Sequence, residues 1–154
     1  QSLYNNLFGS NNTAIGYQAM YTNSGTSANN TAIGYQALYS NSADHQTALG
    51  YQAGNGITTG GNNTVMGYQA GNSITTGSSN IAIGSSANIF DGTLSNQLSI
   101  GNLIFGNGLT GTVAAPAGNI GIGANNPTAR LDIDEPSVFV VQERLLHERF
   151  LHPL

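Results

Sequence analysis

At 154 residues the chain is one domain's worth, and it has no cysteine and ten charged side chains, seven acidic and three basic, for a net charge of −4. Those counts exclude a disulfide framework and a thiolate metal site, and they argue against nucleic acid, whose phosphates a binding protein must neutralise with cations. No run of about 18 apolar residues reads as a membrane span, and Gln1-Ser2-Leu3 has neither the basic nor the apolar region of a signal peptide, so a start on Gln1 reads as a processed product or an excised fragment.

From Asn12 onward one eight-residue phrase recurs. Asn-Thr-Ala-Ile-Gly-Tyr-Gln-Ala occupies Asn12 to Ala19 and Asn30 to Ala37. It returns as Gln46 to Ala53 with Leu49, as Asn63 to Ala70 with Val65 and Met66, and decays through Asn80 to Ala87 and Gln97 to Gly101. The closing glycines, Gly16, Gly34, Gly50, Gly67, Gly84 and Gly101, are separated by 18, 16, 17, 17 and 17 residues. Such a step is too short for a helix pair and fits one coil of a solenoid: a short strand, then turns and a return. The intervening Thr22-Asn23-Ser24-Gly25 and Thr59-Gly60-Gly61-Asn62 are turn-rich. The sequence therefore predicts an all-β, parallel β-solenoid of 16–18-residue coils.

Within each phrase side chains alternate between two faces. Ile15, Ile33, Leu49, Met66, Ile83 and Ile100 form an apolar ladder on one face, beside the threonines. Ala14, Ala32, Ala48 and Ala82, with Gly16, Gly34, Gly50, Gly67, Gly84 and Gly101, form a small-residue face on the other. Coils stacked about 4.8 Å apart put like above like, so a charged column would repel itself while Asn and Thr columns can hydrogen-bond. Up to Phe90 the only charged side chain is Asp44. Large apolar groups are few in each coil, for example Ile33, Tyr35, Leu38 and Tyr39. Set against the entropy of ordering a whole coil, they leave a single chain marginal. The expectation is that the small-residue face packs against sister chains, with a homotrimer as the first choice. A self-sufficient three-faced solenoid would want an aliphatic residue at every sixth position. The walk from Ile15 through Tyr21, Ser27, Ile33, Tyr39, His45 and Tyr51 fits that poorly.

The repeated Asn-Thr-Ala-Ile-Gly-Tyr-Gln-Ala resembles the Ser-Val-Ala-Ile-Gly repeat in the head of YadA-like trimeric autotransporter adhesins, and is similar to repeats in phage tail fibres. The likeness spans about Asn12 to Gly101. It implies a left-handed parallel β-roll with three chains side by side. The coils here are longer than those of the adhesin heads, which implies wider loops or an extra outer strand.

After Gly101 the period breaks. The expected division is a repeat roll over 1–106, an irregular β connector over 107–135 and an oligomerisation tail over 136–154. Asn102 to Gly106 reads as a second strand. Asn119 to Ile133 is similar to the segment that precedes the self-cleaving chaperone domain of many tail fibres; with no lysine, a Ser–Lys type of chemistry has no means to operate here. The tail holds Val138, Val141, Leu145, Leu146 and Phe150 at helical spacing, so it reads as a helix from about Val141 or a strand through Val138 to Val141.

Candidate chemistry is sparse. Tyr17, Tyr35, Tyr51 and Tyr68 form a column, read as a packing ladder rather than a sugar-stacking strip. Loop tips over Tyr21 to Asn29 and Tyr39 to His45 are the expected contact points. His147 and His152 with Glu143 or Glu148 have metal-ligating residue types, but five-residue spacing does not put both histidines on one helical face. Asp132, Asp134 and Glu135 read as a solvated edge without a calcium loop pattern. No phosphate loop is present, and one carboxylate in the repeats leaves glycoside hydrolysis without its pair. Asn11, Asn29 and Asn62 begin Asn-x-Thr sequons that are by-products of the repeat, and the two Ile-Thr-Thr-Gly copies, Ile57 to Gly60 and Ile74 to Gly77, are too few for an ice-binding array. No catalytic residue, cofactor site or metal site is expected.

The expected role is a structural and adhesive extracellular fibre module, on a virion tail or a cell surface. Its partners would be itself, as a homotrimer with end-to-end filaments as an extension, and a host-surface glycan or receptor; neither nucleic acid nor membrane insertion enters. The alternative is a monomeric ice- or carbohydrate-binding solenoid.

Overall fold

The computed structural model describes residues 1–22, 26–110 and 117–134. These are all-β, with no helix among them. Nine strands make one sheet in sequence order: β1 (Thr13–Ile15), β2 (Thr31–Ile33), β3 (Thr47–Leu49), β4 (Thr64–Met66), β5 (Ile81–Ile83), β6 (Leu98–Ile100), β7 (Ile104–Asn107), β8 (Asn119–Ile122) and β9 (Leu131–Ile133). From β1 to β6 every pairing is parallel, and each strand sits in register on the next, Thr13 on Thr31, Ala14 on Ala32, Ile15 on Ile33. This is a parallel β-solenoid of about five turns with one three-residue strand per turn; among the described residues, the remainder of each coil is mostly turns and bends.

The strand is short because a glycine ends it. Gly16, Gly34, Gly50 and Gly67 have φ between +128 and +139, a region L side chains rarely adopt. A Cβ at Gly34 would lie 2.2 Å from the carbonyl oxygen of Gly50, and one at Gly16, Gly50 or Gly67 2.4–2.5 Å from that of the next glycine; at Gly101 it would meet nothing within 4 Å. The glycines are thus required by the approach of successive coils of one chain, where the sequence had suggested a neighbouring chain.

The alanines require the same correction. Ala32, Ala48 and Ala82 are fully buried inside the chain's own coil, together with Val65 and Ser99 at the equivalent positions. Small or medium side chains line the lumen at strands β2 to β6, and the bulky partners of the alternation turn outward. Ile15 is 59% exposed, and Leu49, Met66, Ile83 and Ile100 are 36–42% exposed.

The lumen is filled further round the coil, by one of two devices. In the second coil Leu38 points inward from a left-handed corner at φ 51, and Asn41, three residues on, folds its amide onto Ala43. In the third and fourth coils the corner is Gly54 or Gly71, and the inward residue is Ile57 or Ile74, again three residues on. The turn is the same in each, since Asn41, Ile57 and Ile74 donate their N–H to the carbonyls of Leu38, Gly54 and Gly71. Leu3 and Asn6 repeat the first device above the first coil. Sequence reading saw Leu38 and missed this exchange, which the spacing Leu-x-x-Asn against Gly-x-x-Ile carries.

Most buried polar groups are paired along the axis; the buried Nδ2 of Asn30 and Oδ1 of Asn72 are left without a hydrogen-bond partner. The side-chain oxygen of Asn12, Asn30, Gln46, Asn63 and Asn80 accepts the backbone N–H of the equivalent residue one coil on, at 2.8–3.1 Å. Asn and Gln interchange here because either amide reaches the same N–H. An interior of alanine and hydrogen-bonded amide needs no sister chain to complete it, which is why counting large apolar groups understated a single coil.

At β7 the direction reverses. β6 and β8 flank β7 antiparallel, and β9 returns parallel to β8. Phe105 of β7 is buried at the position the alanines hold above it. The expected helix or strand tail lies outside the described residues, as do His147, His152, Glu143, Glu148 and Glu135.

Candidate functional site: the outward ladders

Register carries the outward columns through the reversal. Ile15, Ile33, Leu49, Met66, Ile83, Ile100, Ile104, Ile122 and Ile133 pair successively, one on each of the nine strands. The parallel column runs Thr13, Thr31, Thr47, Thr64, Ile81, Leu98, Gly106, Ile120, Leu131, so hydroxyls give way to aliphatic groups from β5 onward. Eight strand spacings make the first column about 38 Å long and, one side chain or about 5 Å wide, roughly 190 Å²; the second column is aliphatic only at Ile81, Leu98, Ile120 and Leu131, so the apolar part of the stripe is roughly 300 Å². The largest apolar patch of a single-chain protein is commonly of this size, about 300–600 Å², and is often a contact surface.

Beyond the glycine corner the tyrosines stack. Tyr17, Tyr35, Tyr51 and Tyr68 lie with ring centroids 5.5, 5.0 and 5.2 Å apart and planes within 15°. Ring faces inside the column are therefore taken by neighbouring rings, and only edges and hydroxyls look outward. A strip of sugar platforms is ruled out along the column, though not at its ends. Beside it the glutamines form a second ladder: Gln36, Gln52 and Gln69 each donate Nε2 to Oε1 of the glutamine one coil earlier, at 2.9 Å. A second tyrosine stack, Tyr4 on Tyr21 on Tyr39 at 5.0 and 5.6 Å, occupies the start of the expected loop tips.

Asp44 proves to have a structural partner. Its Oδ1 accepts the Ala28 N–H at 2.8 Å. Two and three coils further on, the Ser78 and Ser95 hydroxyls accept the N–H groups of Gly61 and Ser78 in the same way. The carboxylate is one more rung of that ladder. His45 stands at φ 59 on the exposed corner column with its Nε2 3.4 Å from Asn29 Nδ2. Thr58 and Thr75 of the Ile-Thr-Thr-Gly copies donate their hydroxyls to the carbonyls of Thr75 and Gly92. Asp132 Oδ2 accepts from the Thr128 N–H and hydroxyl. Asp91 accepts both the Thr93 hydroxyl and N–H, which hold its carboxyl below the usual range. Among the described residues no three His, Asp or Glu side chains converge as a metal site would require.

Comparison with models of protein families, with curated proteins and with solved structures returned no match.

Proposed function

We propose that the chain is a module of a stiff extracellular fibre, tail-fibre-like or surface-adhesin-like, in which three copies stand side by side as left-handed rolls around their Thr–Ile faces. The observation that carries this is the unbroken aliphatic ladder from Ile15 to Ile133, exposed on one chain and continuous across both the parallel and antiparallel parts of the sheet. A patch of this extent is stabilised by burial, and a closed ring of identical chains buries it without leaving a free copy. The neutral ladders supply stiffness: axial hydrogen bonds at every coil, with no charged column to push coils apart. Exposed loops then attach weakly and in several copies to a host or surface glycan, a task for which multivalency compensates. No catalytic, cofactor-dependent, nucleic-acid or membrane-inserting role enters this reading, and end-to-end growth of the trimers into filaments is its natural extension.

Replacing Leu49 and Ile83 by arginine tests the assignment of the face. Both side chains point outward, so the double variant should keep its far-ultraviolet signature while its particle mass falls to that of one chain. If the variant keeps the wild-type mass as a trimer, this face is not the contact. The monomeric binding solenoid remains the second reading, favoured by the interior being complete within one chain; a wild-type monomer would select it.

A further inference from the structure

The tyrosine and glutamine ladders end at the same coil. In the fifth coil Ser85 and Ser86 occupy the places of Tyr68 and Gln69; the Ser86 N–H donates to the Tyr68 carbonyl at 2.7 Å, as the Gln69 N–H donates to Tyr51 at 2.8 Å. The backbone register is kept while the outer layer of side chains stops. Tyr68 is stacked by Tyr51 on one face at 5.2 Å, and no described ring covers the other. Tyr68 is 52% exposed, and Ser85 and Ser86 are exposed beneath it.

The ladder also fixes the orientation of the polar group at this ledge. Gln18, Gln36 and Gln52 each present Oε1 to the glutamine one coil on. In that orientation Gln69 presents Oε1 toward the fifth coil, where Ser86 has no amide to offer. One uncovered aromatic face, one unpaired amide oxygen and two serine hydroxyls thus meet at a single step in the surface. The second tyrosine column ends differently. Tyr39 is half-buried, and Asn55, one coil on, spends its amide on the Gln36 carbonyl at 3.3 Å.

We infer that this ledge is a subsite for one pyranose ring of a glycan. The C–H face of the sugar takes the level of the missing tyrosine and stacks on Tyr68, while its hydroxyls donate to Gln69 Oε1 and exchange hydrogen bonds with Ser85 and Ser86. A single ring bound this way is weak, and repetition of the ledge on each chain of a fibre multiplies its effect. The inference rests on the attachment role proposed above but not on the number of chains, since one chain supplies every residue of the ledge.

Saturation-transfer NMR on the full chain with methyl β-D-galactopyranoside, methyl α-D-glucopyranoside and methyl N-acetyl-β-D-glucosaminide tests it. At least one pyranoside should receive magnetisation on its ring protons. Ser85→Tyr, which continues the ladder with the chain's own ring, should weaken that binding by about tenfold or more, as should Tyr68→Leu. Tyr35→Leu, inside the ladder, should leave it unchanged. Absence of signal from all three pyranosides, undiminished binding in Ser85→Tyr, or binding of p-cresol in place of any sugar would overturn the inference. Sedimentation of the same samples reports the trimer separately, so a failed ledge and a failed trimer are told apart.

Discussion

Leu38 with Asn41 and Gly54 with Ile57 are two solutions to one packing problem, and exchanging them tests how the lumen is filled. Gly54→Leu alone adds a side chain whose Cβ would lie 2.9 Å from Ile57 Cδ1 and 3.0 Å from Leu38 Cδ2. Overpacking of that kind costs about 1–3 kcal/mol, and the left-handed φ of +62 adds about 1–2 for any residue with a Cβ. Ile57→Asn alone empties a fully buried site and costs about 2–5 kcal/mol, with a further loss if the amide finds no partner. Together the two changes rebuild the second coil's device in the third: leucine enters the space isoleucine left, and the new amide folds onto its own turn as Asn41 does on Ala43. The double variant should lie within about 2 kcal/mol of the parent, with the remaining cost that of the left-handed leucine. The single costs sum to about 4–10 kcal/mol, so the coupling between the sites should be favourable by at least about 2 kcal/mol, at or above the upper end of measured pairs. Urea unfolding of the four proteins, at one chain concentration so that assembly does not shift the midpoints, reads it out. Additive losses would mean that the two positions do not share one space.

Gly34→Ala should cost at least about 3 kcal/mol, because the residue combines φ +139 with a Cβ 2.2 Å from the Gly50 carbonyl oxygen, and thermal unfolding should show it as a large fall in midpoint. A midpoint within a few degrees of the parent would show that coil spacing is looser than the glycine column requires. Asp44→Ser should be neutral within about 0.5 kcal/mol, since serine oxygens already make this bond at Ser78 and Ser95; loss of pyranoside binding on this change would instead place the site at the Asp44 loop.

The repeat was plain in the sequence because the glycines that end each strand recur at nearly constant spacing, and a column of identical residues can pair only in register. Which face turned inward was not. Alternation in Thr-Ala-Ile separates two faces without naming the inner one, and the usual rule puts isoleucine inside. Here the lumen beside the strand accepts alanine, while the large side chains that fill it, Leu38 and Ile57, come from the turns. The neutrality of the chain was readable as a consequence of stacking. The mode of pairing was not: the phrase opens on Asn or Gln because its amide oxygen takes the next coil's N–H, and composition alone cannot distinguish that from an exposed polar ladder. The reversal at β7 was hidden too. Asn102 to Gly106 reads as a strand in either direction, and only the close return from Ile100 to Ile104 makes it antiparallel. The ledge beneath Tyr68 had one signal in the sequence, the replacement of Tyr-Gln by Ser85-Ser86 in the fifth copy, which reads as decay of the repeat until the stacking of the rings is known.

The central claim is that one aliphatic stripe, carried on nine strands of a neutral solenoid, is covered by two further copies of the same chain. Sedimentation equilibrium of the wild-type protein tests it most directly. The account predicts a particle of about 48 kDa, three times the 15.9 kDa chain; a stable species of 15.9 kDa at micromolar concentration would contradict it.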